Sequence, residues 1–325
     1  MNVEMLVSNL RNKSILITGA SGLICSAFID LLMRYNKQGV TIKIYAMSRN
    51  EKYARKRFES YWENPLFTFI CHDVIEPLSL DITLDYIIHG ASNASPKRYA
   101  TDPVGTMKSN LWGVANLLEL AKEKKARLLY ISSGEVYGEG NGTDFTEIYS
   151  GYVNCLNSRA CYPSSKRASE TLCVSYKEQY GVDVVMARPC HVYGSDIDRD
   201  DRAFAQFLRK VRNGKNVVMK SEGGQVRSYC YVEDCASALL YILLRGENGE
   251  AYNIANRDSV VSIKELAEII ARLGGVRVVF DIPSSQEAMG YSTIQRAVLN
   301  PSKLEHLGWR PRISLEEALK NYIIK

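Results

Sequence analysis

The sequence predicts an α/β fold, a doubly wound parallel sheet with a smaller mixed C-terminal lobe. Three observations predict it. Short β-type runs alternate with longer helical patterns through the first half of the chain. A glycine-rich turn, TGASGLIC, joins the first run to the first helical pattern. After about residue 190 the alternation gives way to Gly, Asp, Arg and aromatic residues mixed with shorter helical patterns.

The strand runs are 14–18, 41–46, 67–71, 84–89, 127–132 and 182–188. Several are apolar throughout rather than alternating, as strands covered on both faces are. Between them, helical spacing runs over 27–35, 106–122 and 164–180. Shorter helices are expected at 201–213, 232–245 and 262–273. The chain thus divides into residues 1–190, to which some later segments return, and a lobe of residues 191–325.

The chain has 325 residues and 46% hydrophobic content, ample for a sizeable core. Its formal charge is +5 with no basic tract, so no nucleic-acid partner is expected, and the lysines at 122–125 read as a solvated helix end. The opening MNVEMLVSNLRNKSILITG is too broken for a signal peptide, and no apolar run reaches the length of a membrane span. The eight cysteines form no Cys-x-x-Cys pair. A cytoplasmic chain with reduced thiols, no metal site and no membrane partner is the expectation.

A strand, then Gly19 and Gly22, then a helix, is the setting of a Rossmann-type dinucleotide site. Gly19 permits the tight turn. Gly22 lets the backbone approach a pyrophosphate, which the free N–H groups of the helix start, around Ser21 to Ile24 with Leu23, can bind. Cys25 stands where a third glycine is expected, which should loosen the helix–strand packing slightly. The second strand should end in an acid that binds the ribose hydroxyls. Ser48 and Arg49 stand there instead. Arg49 can pair with a 2′-phosphate, which suits NADP, or stack on adenine, or face water. Asp73, before Val74, suits either an adenine contact or a turn cap.

Tyr162 and Lys166 are four residues apart at the start of a helix and share one face, with Pro163 tolerated in the first turn. A tyrosine phenol is too weak an acid to serve as a base near neutrality. A neighbouring ammonium and a positive nicotinamide ring would lower its pKa, letting it take a proton from a substrate hydroxyl as hydride leaves. Ser133, at the end of another strand, can bond the same hydroxyl. Glu135 follows in ISSGEVYG, a carboxylate in the turn beside that serine. It acts on the substrate or caps a neighbouring N–H.

TGASGLIC, HGAS, SSGEVYG, YPSSK and ARPCHVYG, in this order, resemble the extended short-chain dehydrogenase/reductase family that modifies nucleotide sugars. The resemblance implies NAD as the cofactor, held by Gly19, Ser21, Gly22, Leu23, Ile24, Ser48, Arg49, Asp73, Val74, Ala91, Asn110, Tyr162, Lys166, Pro189 and His191. It implies a nucleoside-diphosphate sugar held by Ser95, Ser133, Glu135, His191, Arg227 and Arg296. Ser133, Tyr162, Lys166 and Glu135 would carry the chemistry, and Asn110 would support the active-site helix. His191 departs from the asparagine usual there. A homodimer through the two long helices is the family-like expectation.

Such enzymes typically oxidise the sugar at C4, use the ketone and return the hydride. HGASNASPKRYATDPVGTMKSN and SRACY look closest to decarboxylases that make UDP-xylose from UDP-glucuronate, which share a glutamate at 135. Gly134 departs from their serine, and from the aspartic acid of the dehydratases. A 4-epimerase, a 4,6-dehydratase, an NADP-dependent keto-sugar reductase and a dinucleotide-binding regulator stay open as alternatives.

Overall fold

The computed structural model describes residues 3–194, 197–198, 202–282 and 294–323. Seven parallel strands form the main sheet: β1 (Ser14–Thr18), β2 (Lys43–Ser48), β3 (Phe67–Cys71), β4 (Tyr86–His89), β5 (Arg127–Ile131), β6 (Val184–Pro189) and β10 (Ala251–Ile254). Their spatial order is β10-β6-β5-β4-β1-β2-β3, so the two halves diverge from the β1–β4 boundary. That is the doubly wound order whose crevice lies at the switch point.

Strand β1 is buried along its whole length, and its side chains alternate between two cores. Leu16 packs with Ile87, Val114, Leu117, Leu128 and Val184. Ile15 and Ile17 pack on the other face with Phe28, Ile29, Leu32 and Leu239. Each such side chain contributes about 1.5–3 kcal/mol by leaving water. The first face is covered by α5 (Pro103–Lys124) and α6 (Cys161–Tyr180), which pack on each other. The second is covered by α2 (Leu23–Asn36) and α8 (Val232–Arg245).

Helices α2, α5 and α6 start earlier than their apolar spacing suggests, whereas α8 starts at the expected residue. Asp102 caps α5 by accepting from the Gly105 N–H at 2.9 Å, with Pro103 in the first turn. Strand β2 starts later than expected, because Thr41 sits at φ 64, outside the extended region. The sequence division puts residues 232–245 in the lobe. The structure lays α8 against α2 instead and returns β10 to the sheet beside β6. α8 is buried on nearly every side, as a helix sandwiched between layers is.

The smaller lobe holds a second sheet of β7 (His191–Tyr193), β9 (Val226–Tyr231), β11 (Val260–Ser262) and β13 (Arg296–Ala297). Strands β8 (Val217–Met219) and β12 (Val278–Phe280) pair separately. Helix α7 (Ala203–Arg212) packs against α9 (Ile263–Leu273), which opens with a Ser262–Glu265 capping box. The expected start of the 201–213 helix, Asp201, lies outside the described residues. Among the described residues no helix is long and apolar enough to cross a membrane.

Candidate active site

Parallel strands deliver their C-terminal ends to one edge of the sheet, and the expected cofactor residues gather there. Gly19, Ser21 and Gly22 follow β1, Ser48 closes β2 ahead of Arg49, and Asp73 and Val74 follow β3. Ala91 follows β4, Ser133 follows β5 and Pro189 closes β6.

Gly19 adopts φ 64, and a Cβ there would lie 2.7 Å from the backbone of Gly90 and Ala91. Glycine alone meets both demands. Gly22 is the N-cap of α2 and offers no side chain, so the N–H groups around Leu23 and Ile24 are left without a side-chain cap. Bare N–H groups at the positive end of a helix, beside a backbone without Cβ atoms, fit a dinucleotide pyrophosphate. Cys25 does not loosen this turn as its size suggests. It is 3% exposed, and its sulfur takes the place that a Cβ on Gly90 would occupy. The space lost at position 25 is recovered at position 90.

Ser21 donates to Ser48 across 3.0 Å, tying the cradle to the end of β2. Arg49 pairs with Asp73 at 3.3 Å on the exposed rim. Asp73 also accepts the Ile75 N–H at 3.2 Å, so it caps the turn after β3.

Asn110 is wholly buried in α5. Its side-chain amide donates to Ser165 at 2.8 Å and accepts from Ser92 at 2.7 Å, while its backbone carbonyl accepts from Ser169 at 3.0 Å. One residue thereby fastens α6 to the segment after β4, which sets where Tyr162 and Lys166 stand.

Tyr162 and Lys166 are both buried on one face of α6. The Lys166 ammonium donates to the Ile131 carbonyl at 2.8 Å and lies 5.7 Å from the Tyr162 ring. Burial pushes the Tyr162 phenol up to about 12. Glu135 adds to the rise, while the Ser133 and Tyr99 hydroxyls and Arg159 pull against it. Burial also brings Lys166 down to about 7. The expected lowering needs the nicotinamide ring as well as the lysine. Burial is the largest cause at both groups, since it disfavours the charged form of each.

Ser133 accepts the Glu135 N–H at 3.2 Å and opens a short 3-10 turn over Gly134–Tyr137. Glu135 is partly exposed and bound by both oxygens to Arg159, at 3.0 and 3.1 Å. A Cβ on Gly134 would lie 3.0 Å from Leu299, so the turn is packed as it stands.

In the smaller lobe, His191 packs its ring 5.7 Å from that of Tyr229. Arg227 is 6% exposed and donates to the carbonyls of Val226, Ile294 and Gln295 at 2.9, 2.7 and 3.4 Å. Burial holds its pKa below the usual arginine value. Arg296 binds Asp144 at 2.6 and 3.1 Å. Both arginines expected at the substrate thus have protein acceptors. Ser95 is the N-cap of α4 (Pro96–Thr101), which carries Tyr99.

Residues 15–255 match the NAD dependent epimerase/dehydratase family. The chain belongs to this family. UDP-glucuronic acid decarboxylase 6 of Arabidopsis thaliana is 34% identical over 319 residues, 98% of this chain and 89% of the relative. UDP-glucuronic acid decarboxylase 1 of Danio rerio is 35% identical over 321 residues, 98% of this chain and 73% of the relative. The resemblance read from the motifs holds. A UDP-glucose 4-epimerase of Thermotoga maritima, solved with UDP-glucose, superposes with TM-score 0.80 at 22% identity, covering 96% of this chain and 97% of that one. A dTDP-glucose 4,6-dehydratase of Bacillus anthracis, solved with NAD, gives TM-score 0.80 at 22% identity over 96% of both chains. These structures share the fold of this epimerase/dehydratase family member.

Tyr99 and Arg159 lie inside the stretches HGASNASPKRYATDPVGTMKSN and SRACY, which give neither a role, and the structure brings both to Tyr162. Tyr99 stacks on Tyr162 with ring centroids 4.6 Å apart and planes 21° apart, and Arg159 lies 4.6 Å over the Tyr99 ring. A third group, Arg188 with Glu170, lies beneath the site and anchors α6 to β6.

Proposed function

We propose that this chain is an NAD-dependent enzyme that acts on a nucleoside-diphosphate sugar through a transient 4-keto sugar, with decarboxylation of UDP-glucuronate as its leading reaction. The observation that carries it is the pairing of a buried Tyr162–Lys166 base with a carboxylate, Glu135, held at its side by Arg159. The two decarboxylase relatives, each matching nearly the whole chain, support the choice of reaction.

The glycine cradle and the bare start of α2 would hold the pyrophosphate of NAD, with Ser48 and Arg49 toward the adenosine ribose and Tyr162 and Lys166 toward the nicotinamide ribose. Bound NAD would supply a hydride acceptor and, for the return step, a hydride donor. Tyr162 takes the proton of the C4 hydroxyl, and Ser133 holds that hydroxyl in line. The C4 ketone makes a C5 carboxylate a β-keto acid. Its bond to C5 breaks, the electron pair passes into the C4–C5 enolate and carbon dioxide leaves. Glu135 directs the proton that replaces it at C5. Arg227 and His191 would bind the diphosphate and Arg296 the sugar end, with Ser95 alongside. An arginine fork suits phosphate oxygens once its protein acceptors give way.

Gly134 favours 4-epimerisation as the second reading. It places no hydroxyl or acid beside Glu135, and an epimerase needs neither. Arg49 keeps NADP as the alternative cofactor. Apolar side chains exposed on α5 and α6, Met107, Trp112, Val174 and Tyr180, suit a homodimer through these helices. Eight free cysteines suit a reducing, cytoplasmic setting.

Two substitutions test the reading. Tyr162→Phe should keep the dinucleotide and lose all turnover. Glu135→Gln should still oxidise C4 and stall afterwards, visible as persistent reduced nicotinamide absorbance on adding substrate. Full product formation by Glu135→Gln would remove Glu135 from the reaction.

A further inference from the structure

Tyr162 is surrounded by more charge than its own helix supplies. Lys166 reaches it from α6, Tyr130 from β5 and Glu135 from the turn after β5. Tyr99 covers its ring from α4, and Arg159 comes from the 3-10 turn Ser158–Ala160 just before α6. Arg159 makes two contacts at once. Its guanidinium lies 4.6 Å over the Tyr99 ring and binds both oxygens of Glu135. The four side chains form a column: Glu135, Arg159, Tyr99, Tyr162.

The column has a mechanical and an electrostatic consequence. Arg159 packs on the Tyr99 ring and Tyr99 stacks on Tyr162, and with the two rings only 3% and 5% exposed each limits the other's movement. Arg159 also cancels Glu135 where the phenol meets it. A carboxylate near a phenol opposes its ionisation, and a guanidinium on that carboxylate relieves the opposition. Catalysis needs Glu135 near the sugar and Tyr162 ready to accept a proton, two demands that conflict unless a cation stands between them.

We propose that Arg159 is a positioning residue of the reaction, clamping Tyr162 through Tyr99 and cancelling the Glu135 charge that would keep Tyr162 protonated. This rests on reading Tyr162 as the base of the proposed reaction. Arg159 touches no reacting atom; its effect passes through Tyr99 and Glu135. It is half-exposed, so its removal leaves the core intact.

The test is a titration of Tyr162 in the dinucleotide-loaded protein, labelled with 13Cζ-tyrosine, the resonance being assigned by its loss in Tyr162→Phe. Arg159→Met should raise the Tyr162 midpoint by about one pH unit, roughly tenfold less phenolate at a given pH. Arg159→Lys should return most of that shift. The double variant Glu135→Gln/Arg159→Met should restore the wild-type midpoint, since no charge is left to cancel. The proposal is overturned by an unmoved midpoint in Arg159→Met, or by a shift that persists in the double variant. Turnover by Tyr162→Phe would instead strike the reading of Tyr162 as base, whatever the midpoints show.

Discussion

Arg188 and Glu170 meet at 2.6 Å beneath the active-site helix, one turn beyond Lys166, with side chains only 13% and 11% exposed. Arg188 also donates to the Tyr137 hydroxyl at 3.0 Å and the Glu147 carbonyl at 2.8 Å, and Tyr137 donates to Asn253 at 2.6 Å. The pair therefore joins α6, the end of β6 and the edge strand β10. Removing one partner strands the other in a low-dielectric setting. Glu170→Ala should cost about 3 kcal/mol in urea unfolding, and Glu170→Met/Arg188→Met together clearly less. A double-variant loss equal to the sum of the two single losses would show that the pair is not coupled.

Lys166 makes stability depend on pH. Burial lowers its pKa from 10.5 to about 7, so the unfolded chain binds this proton more readily than the folded one. Stability from this group is present at high pH and falls as pH drops from 10.5 toward 7. Chemical denaturation at pH 7 and pH 9 should show the dinucleotide-free wild type gaining stability relative to Lys166→Met at the higher pH. Parallel pH dependence in the two proteins would contradict the buried, weakly charged lysine.

Gly19 is held by two independent constraints, a left-handed backbone and contact with the Gly90–Ala91 backbone. Gly19→Ala should weaken dinucleotide binding roughly tenfold or more, a loss of about 1.4 kcal/mol, by calorimetric titration. Binding unchanged from wild type would place the pyrophosphate elsewhere.

Cys25 and Gly90 share one volume. Gly90→Ala alone should destabilise the protein by about 1–3 kcal/mol through overpacking, and Cys25→Gly should relieve most of it in the double variant. Additive effects in thermal melts would show that the two positions do not exchange space.

Most of the fold was legible because its strands are buried on both faces, and such strands announce themselves as short apolar runs. Ser14–Thr18, buried at every position, appears in the structure with the bounds that its composition suggests, and so does Phe67–Cys71, although that edge strand is buried only at Phe67. The starts of α2 and α5 were not legible from apolar spacing, because their first turns are set by Gly22 and by the Asp102 cap, not by buried side chains. Helix α8 was assigned to the lobe because an apolar helix looks the same in either layer. Within the site, Tyr162, Lys166, Ser133 and Glu135 were legible because their spacing carries their chemistry. Tyr99 and Arg159 stand in motif stretches too, but their part comes only from what lies across from them in the fold. The raised phenol pKa was not legible either: spacing shows the neighbouring ammonium, and only the fold shows that both groups are out of water.

The most direct measurement is the conversion of UDP-glucuronate by the purified protein without added cofactor, followed by mass spectrometry and proton NMR. Loss of carbon dioxide to give a UDP-pentose, absent in Tyr162→Phe, is the predicted result. A product of unchanged mass with C4 inverted, or loss of water instead, would contradict the decarboxylase reading and leave Glu135 without its proposed role.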